Sequence, residues 1–202
     1  MKQKFALLTI AGALLALAVP ASSSASIYPA GAKFELGSGE AAPRVATSLG
    51  YCTLKFTGQV PAAPANEAAG GSFAIPTPTV PFCIAGMSTT VSGSWKLTVG
   101  GGYYPYFTSA SSEAIVMRST SLPKCKLTGP AALGGIWSNG TTTPSLLKSG
   151  YHAHKDLTWT WANDGGTCAV AGATEPVKWE SGNSSYPVNN LTTPTVPIII
   201  GN

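Results

Sequence analysis

Charge is what this sequence has least of. Charged side chains make up 10% of its 202 residues, against roughly 25% in ordinary globular proteins. A formal net charge of +4, without a basic run, is too small and scattered to imply nucleic acid or an anionic membrane as partner. Histidine is scarcer still: His152 and His154 are the only two. The carboxylates are too few to stock a paired acid/base site. No Gly-x-Ser-x-Gly elbow marks an activated serine, and no glycine-rich phosphate loop precedes a helix. Helical periodicity is almost missing after residue 25, and no later apolar stretch is long enough for a transmembrane helix.

What is present begins with an export signal. Lys2 and Lys4 precede the apolar run Phe5 to Val19, Pro20 breaks it, and Ser23-Ser24-Ala25 offers small residues for a signal peptidase. Residues 1–25 are expected to be removed, with no cysteine nearby for a lipid anchor. A secreted or cell-surface protein follows. The remainder fits one domain. Residues 26–48 are small and polar, with one short alternating run at Ala32-Lys33-Phe34-Glu35-Leu36, and are expected to form an extended N-terminal arm or a first strand. Residues 49–202 are expected to form the single domain.

Four cysteines in an exported chain imply two disulfides. Three pairings are open. Two sequence echoes favour one of them: Cys52-Thr53-Leu54 runs to Thr57-Gly58 and ends at Cys83, and Cys125-Lys126-Leu127-Thr128-Gly129 ends at Cys168. Cys52–Cys83 and Cys125–Cys168 each join the ends of one echo, and closing loops of that size stabilises by about 3 to 4 kcal/mol each. Zinc requires ligands at shorter spacing than these.

Strand patterns fill the rest. Cys52, Leu54 and Phe56 alternate with polar residues, as do Trp95, Leu97 and Val99, and Leu157, Trp159 and Trp161. Ile115-Val116-Met117, Cys125 with Leu127, Pro176 to Glu180 and Thr195 to Ile200 read as further strands, and Ser72 to Val80 as a proline-marked edge. Many short strands spaced by Gly, Pro and Asn turns predict an all-β fold, an antiparallel β-sandwich with a barrel as alternative.

Few residues are candidates for chemistry. His152 and His154 sit at i and i+2, so a strand would put both on one face, where they could share a metal ion; two solvent-facing polar residues is the plainer reading. A Ser-His-Asp set can be assembled on paper with Asp156 or Asp164, but nothing singles out a serine. The expectation is no catalytic, metal or cofactor site. The aromatic run Tyr103, Tyr104, Tyr106 and Phe107 is the stronger feature, because adjacent aromatics on a strand cannot all face inward. It could form an exposed stacking platform, with Trp137 or Trp179 alongside, for sugars or hydrophobic surfaces. The apolar Val196 to Ile200 segment is expected to be the last strand of the sheet, or else to pair with an edge of another copy.

The chain resembles the alkane-oxidation protein activator family of small exported bacterial proteins. The resemblance lies in the signal peptide, the Cys-x-x-x-Phe-Thr-Gly stretch Cys52 to Gly58, Phe82-Cys83, and Cys125 and Cys168 around Gly135-Ile136-Trp137-Ser138-Asn139. It covers the middle two thirds of the expected mature chain; the Tyr103 to Phe107 cluster and the length of the second loop fall outside it. It implies a secreted, non-enzymatic protein tied to growth on hydrophobic substrates, surface behaviour or biofilm, and carries over no binding residues. Residues and resemblance together predict an envelope or matrix protein that binds a surface or self-associates. A carbohydrate-binding module is the alternative, and a secreted hydrolase the more distant one.

Overall fold

The structure, a computed structural model, describes residues 26–37, 40, 42–65, 71–100, 104–139, 149–181 and 186–201. The expected export signal lies outside them. No α-helix occurs among the described residues, so none is long and apolar enough to cross a membrane. The strands are β1 (Ser26–Tyr28), β2 (Lys33–Leu36), β3 (Arg44–Thr47), β4 (Gly50–Gln59), β5 (Ser72–Ile75), β6 (Thr79–Cys83), β7 (Met87–Val91) and β8 (Trp95–Gly100). They continue as β9 (Tyr104–Ser109), β10 (Ile115–Ser119), β11 (Cys125–Thr128), β12 (Ala132–Ser138), β13 (Ser149–Asn163), β14 (Thr174–Glu180), β15 (Tyr186–Asn190) and β16 (Ile199–Gly201).

Two long strands organise the others: β4 spans 10 residues and β13 spans 15. Short strands line their edges end to end. β2 and β3 share one edge of β4, with Leu36 opposite Phe56 and Arg44 opposite Thr53. β14 and β15 share one edge of β13, while β11 and β12 share the other. Because β3 pairs with β14 and β2 with β15, a continuous antiparallel wall runs from β4 to β13. Beyond β13 the sheet divides into two arms, β11–β10–β7 and β12–β9–β8–β5. Both fold back over the wall, giving a sandwich-like all-β body.

Between the layers, inward residues of period two meet as rings. Phe56 on the wall touches Trp95, Phe107 and Trp179 at centroid distances of 5.9, 4.1 and 5.9 Å, and Phe107 meets Tyr151 edge-on at 5.5 Å. Each such side chain stabilises by roughly 1.5–3 kcal/mol through burial alone. Buried indole N–H groups need acceptors, and four have them. Trp95, Trp137 and Trp159 donate to the carbonyls of Ser92, Ile198 and Pro130, and Trp179 donates to the Tyr151 hydroxyl.

Both disulfides are formed, Cys52–Cys83 and Cys125–Cys168. Cys52 and Cys83 are direct cross-strand neighbours on β4 and β6. Cys125 ties β11 to the turn after β13. Two such bridges are consistent with a protein outside the cytoplasm.

The N-terminal segment departs from expectation. The run read at Ala32 to Leu36 forms β2, but β1 and β3 are sheet members as well, and Ile27, Phe34, Leu36 and Val45 lie in the core. The patterns of β1 and β3 are too short to stand out alone, and their partners β16 and β14 lie at the other end of the chain. The C-terminal segment forms β16, which pairs with β1 as a two-stranded sheet apart from the main one. Ile198 and Ile200 are buried, and the Asn139 side chain bonds both the N–H and the carbonyl of Ile200, at 2.8 and 2.6 Å. Its pairing capacity is used within the chain.

Candidate functional site

Gly134 and Gly135 sit side by side in the interior of β12. Glycine there weakens a strand and marks a close approach by something else. Here both faces are approached. A Cβ on Gly134 would lie 2.7 Å from the Tyr106 ring, and one on Gly135 would lie 2.4 Å from the Tyr151 ring. Successive strand residues point to opposite faces, so the two tyrosines clasp the dipeptide from outside and inside. Tyr151 is fully buried, and desolvation pushes its phenol well above the usual tyrosine range. Tyr106 is its outward counterpart, in register with Gly134 and 39% exposed.

Beside this clasp the sheet opens. The β12–β13 ladder ends at Gly135 opposite Ala153, and pairing resumes on β11 with Thr128 opposite Thr160. Between these points His154 to Trp159 face Gly129 to Gly134 without a registered pair. The far end of the opening is closed by the Trp159 indole, whose edge presses on Gly129 and whose Nε1 donates to the Pro130 carbonyl at 3.3 Å. Ala153 exchanges bonds with Ser181 on the other edge of β13, and Trp161 exchanges backbone bonds with Ala173 and Gly172. Strand alternation then turns the backbone N–H and C=O groups of Asp156 and Thr158 toward the opening, while the His154 N–H closes the last rung of the β12–β13 ladder on Gly134.

At the β12 end lies an open groove of about 400 Å³. Gly134 and Gly135 form its floor, Tyr106 and the 43%-exposed Ile136 its apolar surface, and His154, Lys155 and Asp156 its polar rim. A single exposed ring beside mixed polar groups can hold a small amphipathic ligand. Charge in the groove is nearly balanced, with Lys155 against Asp156.

The expected platform is thereby reduced. Tyr106 is on the surface, but Phe107 is fully buried against Phe56 and Tyr151, because β9 points alternate residues inward. Trp137 and Trp179 are core residues too, at 2% and 0% exposure, and do not extend a surface patch. Tyr103 lies outside the described residues, and Tyr104 opens β9 in register with Gly100. His152 and His154 share the outer face of β13, opposite Ile136 and Glu180 respectively. Neither ring is hydrogen-bonded to a serine or a carboxylate, and no group of three or more His, Cys, Asp or Glu is arranged to hold a metal ion, among the described residues. Sequence reasoning missed Gly134, Gly135, Ile136 and Lys155; the signal was the Gly-Gly pair inside a strand pattern.

A second groove, about 340 Å³, lies beside Cys125. Its charged groups are turned on each other: the Arg118 guanidinium grips both oxygens of Asp164. That grip holds the Asp164 carboxyl below the usual carboxylate range and raises Arg118. Comparison with family models, curated proteins and solved structures returns no match to this chain.

Proposed function

We propose that the chain is a secreted, non-enzymatic envelope or matrix protein that works by binding a surface or its own copies, in adhesion, biofilm or growth on hydrophobic substrates. The observation that carries this reading is the Tyr106 groove: an exposed ring held on a glycine floor, beside polar groups that are not organised into a nucleophile and its base. A low-charge surface favours the same reading, since weak mutual repulsion lets faces adhere. The resemblance to the alkane-oxidation protein activator family is in keeping with it, as is the export signal. The test is retention of the purified mature protein on hexadecane droplets, on insoluble polysaccharides and on itself, the last by sedimentation across concentrations. Retention in at least one arm is expected. Failure in all three, or turnover of a glycosidic or ester substrate that vanishes in His154→Ala, would overturn it.

A further inference from the structure

We infer that the Tyr106 groove is a subsite for a neutral pyranose ring, the saccharide unit of an extracellular polymer. This deepens the proposal above and rests on it. The ligand class follows from what the groove offers. A pyranose has an apolar C–H face and a rim of hydroxyls, each both donor and acceptor. The groove has one exposed aromatic ring for the face, with Ile136 at its side. For the rim it has the side chains of His154, Lys155 and Asp156. It also has the backbone groups of Asp156, turned into an opening where no strand is in register with them.

Other occupants fit less well. An alkane chain on Tyr106 would strip water from these same polar groups and give them no partner, which costs free energy. A phosphate-bearing ligand needs an excess of cations, and Asp156 offsets Lys155. A peptide strand cannot enter, because the opening is closed at both ends by β-pairing, at Gly135–Ala153 and at Thr128–Thr160. The volume of about 400 Å³ is within the range of small-molecule sites.

The ring is also fixed before the ligand arrives. Tyr106 rests on Gly134, and Gly135 is held from the other side by Tyr151. A stacking surface of that kind loses little freedom on binding. Gly134 is therefore a positioning residue: any Cβ there displaces the ring.

The test is depletion of the mature protein by insoluble cellulose, chitin, xylan and cross-linked dextran, with hexadecane droplets as a parallel arm. Retention on at least one polymer is expected. Tyr106→Ala should weaken it roughly tenfold or more, while Tyr106→Phe, which keeps the ring, should largely restore it. Gly134→Ala should weaken it with an unchanged circular dichroism spectrum. Retention on none of the polymers, or retention indifferent to Tyr106→Ala, overturns the inference. Retention on hexadecane alone overturns it too, while leaving the broader surface-binding proposal standing.

Discussion

The two arms that fold over the central wall are held by different means. β7, β10 and β11 cover the end that carries both disulfides, together with the Arg118–Asp164 and Lys126–Glu113 ion pairs. β5, β8, β9 and β12 contain no cysteine. They are held by Trp95, Leu97, Phe107, Leu133 and Trp137, packed toward Phe56 and Tyr151. One end is tied covalently and the other by the fit of rings. The groove lies at the seam, where β11 and β12 part and neither device closes the sheet. Polar groups are exposed there because pairing is incomplete, with paired strands on both sides of the opening.

The comparison breaks most readily at the aromatic end. Phe56→Ala removes the ring shared by Trp95, Phe107 and Trp179 and is expected to cost about 3–5 kcal/mol in chemical denaturation. At the other end, replacing Cys125 and Cys168 with Ala should cost about 2–4 kcal/mol. Hydrogen exchange should then rise first in β7, β10 and β11. Equal loosening of both arms would mean that the division into a sulfur-tied end and a ring-packed end is wrong.

A smaller effect tests the seam. Gly129→Ala would set a Cβ against the Trp159 indole, and overpacking of that kind costs about 1–3 kcal/mol. Gly165→Ala meets no neighbour within 4 Å and serves as a control, burdened only by its left-handed φ of 69°. The smallest expected effect is that of acid on the sulfur-tied end. Asp164 has a carboxyl lowered by Arg118, so its contribution is present above the ordinary carboxylate range and is lost as pH falls through its lowered folded value. Asp164→Asn should therefore lower stability slightly at neutral pH and flatten the acid limb of the profile, so that variant and parent converge at low pH.

Much of this architecture was legible in the alternation of cysteines, tryptophans and phenylalanines, since period two marks a strand with one buried face. The disulfide pairing followed from the two echoes. What stayed hidden is the non-local part. β13 reads as a strand only over Leu157 to Trp161. Its first half, Tyr151-His152-Ala153-His154, is ordered by β12 and β15, which no local pattern announces. β1 and β3 were hidden for the same reason, whereas β2 shows in the alternation of Ala32 to Leu36. At the site, the aromatic run marks β9, but it could not say that Tyr106 faces out while Phe107 faces in. That depends on which face of β9 meets Phe56. The groove itself comes from an absence of pairing between β11 and β12, and an absence of pairing leaves little trace in a sequence beyond the two glycines.

Tyr106 and Phe107 are neighbours in sequence on opposite faces of one strand, and comparing their alanine variants tests the central claim most directly. Melting temperature and polysaccharide retention should be measured on both. Tyr106→Ala is predicted to weaken retention roughly tenfold or more with little change in melting temperature, and Phe107→Ala to lower the melting temperature sharply while the protein that remains folded still binds. The account is contradicted if Tyr106→Ala unfolds the protein, or if it binds as well as the parent chain.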